Sequence, residues 1–381
     1  MNVSTVVFLA SVAFVLYVLI GYPSALAFFA KRFPRPIVKR FEPHRITVIV
    51  PVRNGERWIR AKLDSLLASD YPPDLIDILI VSDGSTDSTN QIVANYPDSR
   101  VRLLALPAGG KATAVTRAVE QTSSDILVLT DVRQAFDPQA IRLLVACFAD
   151  PKVGVVTGEL VIREGNTQEE FNTGLYWKYE KWIRRNLNRV DAMLGVTGSI
   201  YAARREAMPA IPPEILLDDV YVPFKAVFAG YRIYFEDQAK AYDLPTSLHS
   251  EFRRKVRTQA GVYQIIRYFP ALLWPGNRRF IHFFSHKFGR LLLPFALIAI
   301  FVSSFGLPDP WRWLVLAAEA CWYGAAFLDR WLPERFPLKR LTAPIRAFVV
   351  LVAAAFCALA VFFLPARTLW KETKVSEAKA A

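Results

Sequence analysis

The residues best suited to chemistry stand at the ends of apolar runs. "PVRNGE" (Pro51 to Glu56), "SDGSTD" (Ser82 to Asp87) and "TDVRQ" (Thr130 to Gln134) each follow a β-branched stretch and each offers carboxylate or amide groups. Loops of Asp, Asn, Ser and Gly are ordinarily turns and helix caps, and Ser85 or Thr86 suits a cap for the helix that follows. One such loop would mean little. Three on one rim, with a lysine between, mean more. That lysine is Lys111 in "PAGGKATAV". Gly109 and Gly110 free the backbone just before a helix, which favours an anion. A Walker loop is excluded, because it needs Gly at position 105 and Ser or Thr at 112, and both are Ala. Two more acids, Asp218 and Asp219, stand together in "LLDDVYVPF". By themselves they read as an acid pair at a helix N-terminus, favoured by the dipole.

The elements that must position these groups alternate in character. "RITVIVPV", "DILIVSD", "RVRLLAL", "DILVLTD" and "VGVVTGEL" read as strands. "ERWIRAKLDSLLAS", "STNQIVANY", "GKATAVTRAVEQT" and "PQAIRLLVACFAD" read as the helices between them. This β-α-β alternation predicts an α/β fold with a mostly parallel sheet and helices on both faces. In such sheets ligands bind beyond the carboxyl ends of the strands, where the acidic loops fall.

Of the 381 residues, 53% are hydrophobic and 13% aromatic, which excludes a disordered chain. The net charge of +13 suits nucleic acid, anionic lipid or a phosphorylated substrate. No Lys/Arg tract or nucleic-acid module is present, so lipid and phosphate lead. Cys147, Cys321 and Cys357 are far apart in sequence and the histidines are scattered, which argues against a disulfide framework or a zinc site. From Val3 to Ala30 there is no charged residue, enough chain to span a bilayer. Its positive flank, Lys31, Arg32, Arg35, Lys39 and Arg40, follows it, which predicts an uncleaved anchor with its C-terminal side in the cytoplasm. Three further apolar segments, 288–305, 313–328 and 345–364, favour membrane helices. The middle one is short and contains Glu319, and the loop 329–346 is basic.

The segments "ITVIVPVRNGERWIRAKLDSLLASDYPPDLIDILIVSDGSTDST", "GGKATAVTRAV", "DILVLTDVRQAFDPQAI" and "LLDDVYVPFKAVFAGYRIYF" resemble the family 2 glycosyltransferases. More narrowly, they resemble the membrane-bound branch that includes cellulose, hyaluronan and poly-N-acetylglucosamine synthases. The resemblance implies a GT-A fold, a nucleotide-diphosphate sugar donor, a divalent cation (Mg²⁺ or Mn²⁺) and inversion at the anomeric carbon. It implies that Asp83 receives the nucleobase beside the backbone of Pro51, Val52 and Arg53, that Glu56 reaches toward the ribose, and that Lys111 meets the donor's phosphates. Asp87 is expected to brace its loop. Asp131 matches the first aspartate of the family's D-x-D and would hold the metal. Asp219, next to Asp218, matches the catalytic base, and Arg257 would bind the leaving diphosphate.

The sequence also departs from the pattern. The second acidic position of D-x-D is Arg133, which either adds positive charge near the diphosphate or points away. Arg133→Asp is therefore expected to restore a two-carboxylate metal site. In the branch's Q-x-x-R-W motif, Arg254 takes the Gln position and Thr258 the Trp position, so the stacking platform for an acceptor sugar is missing.

The expected organisation is a transmembrane helix over 1–30, a cytoplasmic GT-A domain over 45–279 with interfacial helices, membrane segments over 286–365 and a tail over 366–381, in a multi-pass protein of the inner membrane. One interfacial helix would place Phe171, Leu175, Tyr179, Trp182, Ile183 and Leu187 on an apolar arc and Lys178, Lys181, Arg184 and Arg185 opposite. The alternative is a helix packed on the protein's own core. The tail segment Thr368 to Lys374 resembles one that closes over bound nucleotide in this branch. The partners implied are the nucleotide sugar, a glycan or lipid-linked acceptor and the bilayer, with no nucleic acid. Two other readings stay open: transfer to a polyprenyl phosphate, or a non-catalytic GT-A scaffold that binds nucleotide sugar.

Overall fold

A computed structural model describes residues 2–162, 168–244, 248–333, 336–365 and 368; for 168–176 and 248–251 it describes the backbone alone. The side chains of Phe171 and Leu175, residue Arg335, and the tail segment apart from Thr368 lie outside these described residues. The chain forms two compact units. One comprises 33–163 and 184–244, and the other 1–32, 164–183 and 245–381.

The first unit is built on an eight-stranded sheet. Its strands are β1 (Ile46–Val52), β2 (Ile76–Asp83), β3 (Val101–Leu106), β4 (Ile126–Leu129), β5 (Ala135–Phe136), β6 (Val153–Ile162), β7 (Tyr201–Arg204) and β8 (Arg232–Asp243), in the order β3-β2-β1-β4-β7-β6-β8-β5. β3, β2, β1 and β4 run parallel, as do β6 and β8, while β7 runs antiparallel to both of its neighbours and β5 antiparallel to β8. The apolar runs are continuous because β1, β2 and β4 are covered on both faces: Ile46, Val48, Ile49, Val50, Ile78, Ile80, Leu127 and Val128 are buried. The covering helices carry matching stripes, Ile59, Leu63 and Leu66 on Glu56–Leu67 and Ala112, Val115 and Ala118 on Lys111–Glu120. The chain leaves β1 in one direction through β2 and β3, then returns to place β4 on the other side of β1. That reversal opens a crevice at the carboxyl ends of β1 and β4.

The second unit is helical. Val3–Arg32, Phe280–Ser304 and Lys339–Phe362 are long and apolar enough to cross a membrane. The helix Trp311–Leu328, expected as a further segment, falls short of that measure among the described residues. Its Glu319 carboxylate accepts from Ser304 at 3.1 Å. At the following turn the buried Asp329 carboxylate gathers Thr342 Oγ1 at 2.6 Å, Lys339 Nζ at 3.3 Å and Arg346 Nη1 at 3.4 Å, so two of the basic residues of that loop are spent on one acid. Within this unit Arg290 pairs with Glu180, and Arg254 lies 4.9 Å over the Trp177 ring.

The helix Gln168–Arg189 passes from this unit into the sheet unit. Near its end Ile183 and Leu187 are buried. Arg185 pairs with Glu159 at 3.2 Å and Asp237 at 3.1 Å, and Arg184 bonds Thr197 and lies over Phe235. Those two arginines bond or pack against the protein's own residues at this end of the helix.

Candidate active site

The loops after β1 and β2 are stitched together. Asn54, at a φ of 52°, accepts at its side-chain oxygen from Thr86 N–H at 2.8 Å and donates its own N–H to Ser85 Oγ at 3.1 Å. Asp87 accepts from the N–H groups of Glu56 at 3.0 Å and Thr89 at 3.1 Å, so it braces the loop. Burial opposes its ionisation, but these bonds and the Thr89 hydroxyl hold its carboxyl below the usual range. Glu56 accepts from Ser88 N–H at 3.0 Å, Val52 is buried, Pro51 is half-buried and Arg53 is exposed.

Asp83 ends β2 almost fully buried. Its Oδ1 accepts from Gly109 N–H at 2.6 Å and Gly110 N–H at 3.0 Å. This bond network fixes the start of the helix Lys111–Glu120. Gly110 needs its missing side chain here, because its φ of 88° is in the left-handed region.

Lys111 then reaches two carboxylates. Its Nζ lies 2.9 Å from Asp131 Oδ1, just beyond β4, and 3.3 Å from Asp218 Oδ2, at the start of the helix Asp218–Phe228. Burial disfavours its charge, but Asp131, Asp218 and Asp219 together keep it protonated above the ordinary lysine value. Asp219 is half-buried, and its carbonyl accepts from Val196 N–H at 2.9 Å. The approach is close: a Cβ on Gly198 would meet Asp219 Oδ2 at 3.3 Å. Asp131, Lys111, Asp218 and Asp219 therefore form one charged cluster at the β1/β4 crevice. Arg257 belongs to the helix Leu248–Tyr268 of the other unit and is half-buried there.

Arg133 points away from this cluster. Its Nε and Nη2 bond the two carboxylate oxygens of Asp243 at 2.8 and 2.6 Å, and Gln134 Nε2 reaches the same carboxylate at 2.8 Å. Asp243 is the last residue of β8 and is buried. The expectation that Arg133→Asp simply restores a second metal carboxylate is therefore revised: the new acid would face a buried one. Among the described residues no three His, Cys, Asp or Glu side chains converge on a common metal position.

Residues 47–210 match the family described as Glycosyl transferase family 2. The poly-β-1,6-N-acetyl-D-glucosamine synthase of Staphylococcus aureus (strain COL) is 25% identical over 240 residues, which are 61% of this chain. The synthase of the same name from Staphylococcus epidermidis is 23% identical over 247 residues, or 62% of this chain. The chain spans about 60% of the length of these curated relatives. The solved mannosyltransferase PcManGT from Pyrobaculum calidifontis, in complex with GDP-Man and Mn²⁺, superposes with a TM-score of 0.69 at 20% identity, covering 92% of this chain and 99% of that one. The sheet unit thus has the GT-A fold, and three helices of the chain are long and apolar enough for membrane association.

Sequence reasoning passed over two buried polar side chains near the cluster. Tyr201 is fully buried on β7, opposite Leu129 of β4, and its hydroxyl has no hydrogen-bond partner. Burial first, then the negative charges of Asp218, Asp219 and Asp131, raise its pKa well above the phenol range. Lys62 is the other, donating to Thr130 Oγ1 at 2.7 Å and the Gln134 carbonyl at 2.6 Å. A signal existed for it: Lys62 falls on the Ile59–Leu63–Leu66 stripe of its helix. Burial pulls its pKa down to about 7 from 10.5, against the attraction of Asp131. Between those two values the unfolded chain holds a proton that the folded chain has released, so this residue makes stability rise with pH from about 7 to 10.5. In Lys62→Met the melting temperature should rise less with pH over that window than in the wild type. Parallel curves for the two proteins would reject the assignment.

Proposed function

We propose that the protein is an inverting membrane glycosyltransferase. It takes a sugar from a nucleotide-diphosphate sugar, a UDP-sugar by preference, and transfers it to a glycan or lipid-linked acceptor in surface polysaccharide or glycolipid synthesis. The observation that carries this is the placement of Lys111 between Asp131 and Asp218 at the sheet's crevice, with Asp219 beside them. The poly-N-acetylglucosamine synthases among its relatives support a polysaccharide product, and the Mn²⁺ and GDP-Man of the fold neighbour support a cation and a diphosphate donor.

In this reading the loop after β1 and Asp83 hold the base, Glu56 the ribose and Lys111 the diphosphate. Asp219 takes the proton of the acceptor hydroxyl as its oxygen attacks the anomeric carbon and the bond to the diphosphate breaks. Arg257 offers its guanidinium fork to the departing nucleotide. A divalent cation, when bound, neutralises the charge gathering on the diphosphate, and Asp131 is the carboxylate that would hold it. The donor set fits such an ion: a half-exposed carboxylate, and an Asp218 oxygen with no hydrogen-bond donor and an ammonium as its neighbour. Catalysis on the cytoplasmic side of a multi-pass inner-membrane protein is supported by the basic residues that follow the first span.

The scaffold reading drew on Arg133, but its bonds to Asp243 give that arginine a structural reason. The deciding experiment presents purified protein in lipid with a panel of UDP- and GDP-sugars and measures nucleotide release. Turnover with at least one donor is expected. Binding without turnover across the whole panel would favour the scaffold.

A further inference from the structure

We infer that Asp218 supplies the second carboxylate of the cation site, replacing position 133, and that the Lys111 ammonium occupies this site until a cation displaces it toward the donor's phosphates. The inference rests on the proposed nucleotide-sugar site.

Four observations lead here. Position 133 cannot serve, because the Arg133 fork is committed to Asp243. Asp131 Oδ1 and Asp218 Oδ2 both lie within 3.3 Å of one positive charge, so the folded chain already neutralises two carboxylates at a common point. A hard cation seeks such a point, since it binds carboxylate oxygens and fills its remaining positions with phosphate oxygens and water. Asp218 is buried, and its Oδ2 has no hydrogen bond but an ion pair to the Lys111 ammonium at 3.3 Å, so this oxygen becomes a ligand atom once the ammonium moves away. The hydroxyls of Tyr201 and Ser199 are also buried and unpartnered. Tyr201 lies within the field of all three aspartates and stays protonated. A buried hydroxyl without a partner carries a desolvation penalty, which a polar ligand beside it would relieve.

Lys111 makes the inference testable by opposite signs. The full-length protein in lipid is titrated with Mn²⁺ in the absence of nucleotide, and free Mn²⁺ is read by electron paramagnetic resonance. Asp218→Asn and Asp131→Asn should each weaken Mn²⁺ binding tenfold or more. Lys111→Met should tighten it severalfold, because the competing ammonium is gone, a gain that misfolding cannot imitate. Wild-type Mn²⁺ affinity in Asp218→Asn, or unchanged affinity in Lys111→Met, overturns the inference. Binding of UDP and GDP to the wild-type protein is measured separately. Failure of both nucleotides to bind would defeat the proposed function, whereas nucleotide binding with a metal response confined to Asp131 would defeat only the role of Asp218.

Discussion

Asp219→Asn is expected to lower glycosyl transfer by about two to four decades, the usual worth of a positioned general base. The amide keeps the shape of the side chain but cannot take the acceptor's proton. The helix start that carries it should hold, because its backbone bond to Val196 does not involve the side chain. Donor affinity should stay within a few fold of wild type, since Lys111 and Asp131 are untouched. The measurement is nucleotide release under single turnover, beside donor binding on the same preparation. A turnover near that of the wild type would remove Asp219 from the chemistry.

The second large effect concerns stability. In Arg133→Ala the carboxylate of Asp243, 4% exposed, loses both arms of its guanidinium partner. Breaking a buried pair from one side costs about 3–5 kcal/mol. Gln134 and the Leu244 N–H still donate to Asp243, so the lower end of that range is expected. For a unit of this size about 3 kcal/mol corresponds to a fall of roughly 6–12 °C in melting temperature. Arg133→Asp should be worse, because it sets two acids face to face, and the double exchange Arg133→Asp with Asp243→Arg should recover part of the loss. Equal melting temperatures for wild type and Arg133→Ala would mean that the pair contributes nothing. The same comparison separates two causes of lost activity: an arginine that served the donor would lower transfer without changing the melting temperature.

The parts that were legible in the sequence share a physical cause. β1, β2 and β4 are buried on both faces, so their runs are uniformly apolar and end sharply at polar loops. The parallel α/β sheet followed from those runs, and the GT-A fold was what the resemblance of the motifs to a known family implied. β7 and β8 were not read as strands. β7 is only "YAAR", and β8 carries Glu236, Asp237, Lys240 and Asp243, whose partners lie far away in the chain. Such polarity reads as loop until the partners are known, as with Lys39 at 2.5 Å from Glu236. The same limit applies at the site. Lys111, Asp131 and Asp218 could be singled out by their local settings, but the bridge between them depends on how β4 and the helix Asp218–Phe228 meet. The choice left open for Arg133 was decided by an acid 110 positions away. Asp83 was read as a ligand group alone, and the structure adds its bonds to Gly109 and Gly110.

Under the proposed nucleotide-sugar assignment, those bonds would join two ends of a ligand thermodynamically. If a base N–H also donates to Asp83, the carboxylate that receives it is the one holding the loop that aims Lys111. Base and diphosphate then share an intermediary, and each should bind better once the other has ordered it. A nucleoside and a free pyrophosphate offered together would show positive cooperativity, with the same coupling factor whichever is added first. Weakening the loop at Gly110 would reduce that factor more than it reduces either affinity alone. A donor's two halves would thus be recognised as a linked pair, and fragments of it at a discount.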